Sequence, residues 1–194
     1  MRRCKEYRKI AWDILMQNLG SIFLFALLAK ILISSISSTG FGFLILGPFF
    51  VGVALYYLRA VRREPLDYGA LFEPILKNDF LRTIALYLLK LLLLFLWGFL
   101  FIIPALIKNY SYSMAIYIAL DNPGMKAKDC ITLSRKMMDG YKFKLFLLNL
   151  SFIGWYILGS LLFFIGSIFV SAYHNLAIAA FYDDLKKQYN TQTF

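Results

Sequence analysis

The sequence predicts an all-α fold, a polytopic membrane helix bundle of six transmembrane helices paired into three hairpins, with short amphipathic cytoplasmic helices between them. Three observations predict it: long apolar runs that do not alternate, basic residues gathered into four bands, and intervening connections that carry no charge. Of the 194 residues, 60% are hydrophobic and 16% charged, against roughly 45–50% and about 25% in soluble domains. Continuous runs mean helices, because lipid demands that each span satisfy its own backbone.

The elements follow in order. Met1 to Lys9 is basic and an apolar run follows, as in a secretory signal. Leu19–Ile36 is long enough to span, and more apolar segments follow, so it reads as the first transmembrane helix. The further spans are Phe41–Ala60, Leu81–Ile103, Ala105–Leu120, Leu145–Phe164 and Ser167–Tyr182, the fourth and sixth being short. The basic bands are Arg2 to Lys9, Arg59 to Arg82, Lys126 to Lys144, and Lys186 with Lys187, and they hold 18 of the 21 Lys and Arg. All 11 acidic residues lie in or beside them, while Ser37–Gly40, Pro104 and Gly166 are uncharged connections. The positive-inside bias places all four bands, and with them both termini, in the cytoplasm. An even number of spans then separates successive bands. The chain reads as a single membrane domain, 1–194, with hairpins at about 19–60, 81–120 and 145–182.

The hairpins share a pattern that predicts an internal repeat. An amphipathic stretch ending in Asn or Gly precedes each one: Ala11 to Asn18, Ala70 to Asn78, and Thr132 to Gly140. Returning helices start near Gly47-Pro48, Pro104 and Gly166, at offsets of roughly 60 residues. Lys30 and Lys90 each fall twelve residues after their Asn, whereas the third unit has Phe152 there. In the amphipathic stretches Ile10, Ile14 and Leu15, or Leu133, Met137 and Met138, form apolar stripes beside charged residues. Such helices lie in the headgroup plane or pack on cytoplasmic neighbours, and the pattern allows both.

The second half carries a more specific pattern. It runs through Ile103-Pro104, Lys108, Tyr110 to Ala115, Asn122-Pro123, Ser134-Arg135, Met137-Met138, Gly140, Leu150 to Trp155, Leu158-Gly159 and Ala180 to Tyr182. This resembles the domain-of-unknown-function family number 975, integral membrane proteins common in Gram-positive bacteria. The likeness is close over Ile103 to Tyr182 and looser before it, where Asn18-Leu19-Gly20 stands in place of the family's frequent Asn-Trp-Gly. The resemblance implies a multi-pass protein of the bacterial cytoplasmic membrane. It brings no activity and no catalytic residue.

The informative residues are the cations outside the bands: Lys30, Lys90 and Lys108. An ionisable residue in a span costs at least a few kcal/mol and marks a functional site by default. At 1.5 Å per residue, Lys30 and Lys90 lie about 18 Å from their Asn anchors, past the middle of a core roughly 30 Å thick. Lys108, four residues after Pro104, is expected near the outer face as well. No span contains Asp or Glu. The lysines therefore snorkel to lipid phosphates, or face a cavity that takes an anionic group. For the second reading the candidate ligand- or lipid-binding residues are Lys30, Lys90, Lys108, Tyr110, Tyr112 and His174, with Asn109, Ser111, Ser113, Ser171, Tyr173 and Asn175 beside them. These polar groups also serve as interhelical glue.

Enzymatic chemistry finds little support. His174 is the single histidine, which excludes a multi-His metal site and any HExxH. Paired intramembrane carboxylates and phosphate-binding glycine loops are absent, and no nucleophile elbow surrounds Ser171. Cys4 and Cys130 lie among charged residues and suggest no disulfide framework. The expectation is a non-enzymatic accessory, scaffold or protective protein with no cofactor and no metal. Its partners would be membrane lipids, another membrane protein or a second copy of itself, and not nucleic acid. The alternative is a small transporter for an anionic or amphipathic substrate.

Overall fold

The computed structural model describes residues 2–38, 42, 46–76, 80–100, 102–161 and 163–192. These are helical nearly throughout, and no strand occurs among them. The helices are α1 (Cys4–Gln17), α2 (Leu19–Ser38), α3 (Leu46–Arg62), a 3-10 turn (Tyr68–Leu71), α4 (Glu73–Leu76), α5 (Phe80–Leu100), α6 (Ile102–Ser111), α7 (Ala115–Asp121), α8 (Ala127–Met137), α9 (Lys142–Leu161) and α10 (Phe163–Gln192).

Three of them, α2, α5 and α9, are long and apolar enough to cross a membrane, with mean hydropathies of 2.2, 1.9 and 1.4 over their most apolar windows. Each leaves large apolar side chains outside the protein core. On α5 these include Leu92, Phe95 and Phe99, and on α9 Ile153, Ile157 and Leu158. Such continuous apolar surface has no place in water.

The remaining predicted spans take other forms. Ala105–Leu120 is not one helix: the chain turns at Tyr112 to Met114, leaving α6 of 10 residues and α7 of 7. At 1.5 Å per residue α6 is only about 15 Å long. α10 is 30 residues, so it runs about 45 Å and outreaches a hydrocarbon core of roughly 30 Å. α3 ends in Arg59 and Arg62. Arg63 takes a left-handed φ of 58° there, and the Glu64 N–H bonds back to the Arg59 carbonyl, which stops the helix.

α10 is the axis of the packing, in contact with α1, α2, α3 and α9. α1 lays Tyr7, Ala11 and Leu15, fully buried at i, i+4 and i+8, against it. α8 buries Cys130, Ile131, Ser134 and Met137 against α5 and α7. Both amphipathic stretches are therefore helices packed on neighbours. Close approach is made by glycine: a Cβ at Gly52 would stand 2.6 Å from the Ala70 carbonyl oxygen, and one at Gly159 only 3.0 Å from that of Gly166.

Element order repeats three times as short helix, long apolar helix, return. Pro48 and Pro104 are each the third residue of their helix, and Lys30 and Lys90 are the twelfth of α2 and the eleventh of α5. α1 lies on α9 and α10, and α8 lies on α5 and α7, so each packs on the long and returning helices of another hairpin.

Candidate functional site

Lys90 stands one turn beyond the buried Leu86, on the inward face of α5. It borders a cavity of about 270 Å³ whose other polar walls are Asn109, Tyr110, Ser113, Tyr117, Asn149 and Asn175. These come from α6 and its C-terminal turn, α7, α9 and α10, so five helical segments, α5 included, meet around one ammonium group. Among the described residues Lys90 has neither a hydrogen-bond nor an ion-pair partner.

The surrounding amides are partly committed. Asn175 donates its side-chain N–H to the Ser171 carbonyl at 2.8 Å, which leaves its own oxygen free for the cavity. Asn149 Oδ1 lies 2.9 Å from His174 Nε2, and Tyr156 OH lies 3.2 Å from His174 Nδ1. A histidine carrying its proton on Nε2 satisfies both bonds, with the Tyr156 hydroxyl donating to Nδ1. The Asn149 NH₂ then faces the cavity. His174 thus stands one hydrogen bond behind the site as a positioning group.

The other predicted residues are distributed around it. Tyr110 shares the cavity with Lys90. Lys30 donates to the Ser167 hydroxyl at 2.8 Å and borders a second cavity, about 320 Å³, with Ser34, Ser171 and Asn175. The two cavities share Phe50, Val53 and Asn175 as lining residues, so they are neighbours. Tyr112 is packed in the core. Lys108 is not on the Lys90 cavity, and it lies beside residues of the third basic band. Its ammonium is 4.6 Å from the centroid of the Trp97 ring, in a pocket with Arg135, Lys136 and Lys142. Consecutive helical residues are turned by about 100°, so Lys108 and Asn109 look in different directions. Asn149 escaped the sequence reading, and its signal was a lone amide between Leu148 and Leu150 in a predicted span.

A second polar assembly joins the charged helix ends. Asp121 closes α7 and receives both guanidinium nitrogens of Arg62 at 2.8 Å, the Tyr182 hydroxyl at 2.8 Å and Lys186 Nζ at 2.7 Å. Burial alone would raise its carboxyl, but the bonds from Arg62, Lys186 and Tyr182 outweigh that and hold it at about 2. Arg82 caps the same end of α7, donating to the carbonyls of Ala119, Asn122 and Met125 at 2.7–2.8 Å. Arg59 pairs with Glu73 at 2.8 Å. The bonds to Asp121 clamp α3, α7 and α10 together at one end.

No group of three or more His, Cys, Asp or Glu is placed to hold a metal among the described residues. No curated protein and no solved structure matches the chain. Residues 100–189, which take in α6 through most of α10, match the model of the family described as protein of unknown function (DUF975), the family that residues 103–182 resemble.

Proposed function

We propose that the chain is a multi-spanning protein of the bacterial cytoplasmic membrane that holds an anionic group of a lipid or membrane partner in its interior, without catalysis. In this reading α2, α5 and α9 cross the bilayer, and α3, α6 with α7, and α10 bring the chain back. Six crossings leave every basic band and both termini in the cytoplasm. The observation that carries the reading is the Lys90 ammonium, without a partner among the described residues, beside a cavity walled by amides and hydroxyls. An unpaired cation inside a helix bundle costs several kcal/mol. A carboxylate or phosphate oxygen entering the cavity would meet three ammonium donors and the Asn149 amide, and would remove that cost.

The test is mass spectrometry of the intact protein released from membranes. Wild type should retain an anionic molecule that Lys90→Met loses, while both insert equally, since Met is cheap in the bilayer. Equal retention by the two proteins would end the reading.

Transport is the second reading, favoured by Asn175, which lines both the Lys30 and the Lys90 cavity. Two cations flanking one amide suit an anionic or amphipathic solute passing between them. Asn175→Cys, in a Cys4→Ser, Cys130→Ala background, should then react with a membrane-impermeant maleimide. An unreactive thiol would remove transport from consideration.

A further inference from the structure

The pocket that receives Lys108 is separate from the Lys90 cavity and has a different character. It measures about 470 Å³ and is bordered by Lys108, Arg135, Lys136 and Lys142, with Asp139, Ser111 and Thr132. That volume lies within the roughly 300–1,000 Å³ of small-molecule sites. Four cations face one acid. Among the described residues Asp139 answers only Lys142, at 3.4 Å, and its side chain is 83% exposed. Lys108 rests on the Trp97 ring, and among the described residues Arg135 and Lys136 have no acidic partner.

The hydroxyls do not change this balance. Ser111 donates to the Ile107 carbonyl and Thr132 to the Lys128 carbonyl, so the cationic side chains do the recognition. α9 starts at Lys142, and the positive end of its dipole adds to the field. The C-terminus of α8 works against it, which leaves the side chains decisive.

What surrounds the pocket identifies its guest. Ile103, Leu106 and Ile107 on α6 and Phe143 and Phe146 on α9 are exposed apolar residues within a few positions of the lysines. A cluster of positive charge therefore opens beside an apolar surface on two helices that touch each other. That combination fits an amphiphile with an anionic head. Arg135 can present a planar fork to phosphate oxygens, and the lysines supply point charges around it. Basic pockets between membrane helices on the cytoplasmic side bind phospholipid headgroups for these reasons.

We propose that this pocket binds the phosphodiester of an anionic lipid, with the acyl chains lying along α6 and α9. The assignment rests on the membrane reading above and does not depend on the Lys90 cavity. Purified full-length protein would be equilibrated with nanodiscs of phosphatidylglycerol or phosphatidylcholine, and retained lipid counted by native mass spectrometry. Wild type should keep phosphatidylglycerol several-fold more than phosphatidylcholine. Arg135→Gln with Lys142→Gln should lose the preference. Lys126→Gln with Lys128→Gln removes equal charge from the same band outside the pocket and should keep it. Arg135→Lys should retain most of it, which separates charge recognition from misfolding, and in a Lys90→Met background the Arg135→Gln, Lys142→Gln pair should still remove the preference that remains. Equal retention of the two lipids by wild type, equal loss in both double variants, or no further loss in the Lys90→Met background would overturn the proposal. An excess of inorganic phosphate should leave the lipid bound. Displacement would assign the pocket to a soluble phosphate and overturn the lipid.

Discussion

Arg62 and Asp121 form a parallel two-bond pair, each N–H···O contact 2.8 Å long, that joins the end of α3 to the end of α7. Lys186 and Tyr182 bring α10 to the same carboxylate. The Asp121 side chain is only 7% exposed, so its charge depends on these donors. Replacing it with Asn would leave Arg62 and Lys186 without their anion. Breaking a fully buried pair costs about 3–5 kcal/mol, and the partial exposure of the two cations reduces this to about 1–3 kcal/mol. Asp121→Asn should lower the unfolding midpoint in mixed detergent–SDS micelles accordingly, while Arg62→Lys, which keeps the charge and loses the fork, should fall between. An unchanged midpoint in Asp121→Asn would show that the clamp contributes nothing.

Acid should weaken the same clamp. Burial raises the Asp121 carboxyl, but its bonds prevail and hold it at about 2. Asp184 is lowered too: burial opposes the shift, and the Tyr7 hydroxyl and Arg2 amide N–H prevail. A carboxylate with a depressed folded value adds stability that is complete above its unfolded value of about 4 and disappears as pH falls toward the folded one. The melting temperature in detergent should be level from neutral pH to about 5 and then drop. Asp121→Asn should flatten that drop. A parallel drop in the variant would assign the acid sensitivity elsewhere.

The approach of α3 to the 3-10 turn leaves no room for a side chain. A Cβ at Gly52 would meet the Ala70 and Leu71 carbonyl oxygens at 2.6 and 2.7 Å, and backbone cannot move aside as a side chain can. Gly52→Ala should cost about 1–3 kcal/mol through overpacking. Gly154 has nothing within 4 Å of a built Cβ, so Gly154→Ala serves as the neutral control. Equal melting temperatures for the two variants would contradict the packing.

Topology is checked by reporters. A fusion after Phe194, or in the loop at 65–67, should read cytoplasmic, and one at Ser37 should read external. Positive-inside charge distribution motivates this arrangement. An external C-terminus would overturn the even number of crossings.

Much of the helix order was legible. The runs that became α2, α5 and α9 announced themselves by hydropathy, and the stretches that became α1 and α8 by their apolar stripes. Lys90 and Tyr110 stood out as polar residues in apolar surroundings, and they share a cavity. Two features were hidden. The break at Tyr112 to Met114 lies inside a predicted span, at its polar Asn109 to Ser113 stretch, and it coincides with α8 docking there, where Ser134 donates to the Ser111 carbonyl at 2.8 Å. The separation of Lys108 from Lys90 depends on the facing of α6, and no composition reports that.

The sequence by itself determined which three helices are long and apolar enough to cross a membrane, and the sorting of charge, because transfer from water to lipid is a property of each residue and sums along the chain. Tertiary structure alone decided which polar groups meet. Asn149 reaches the Lys90 cavity, and Lys108 turns to Arg135, because α6, α9 and α10 pack at particular rotations. A shift of one residue turns a side chain by about 100°, and only packing between helices sets that angle.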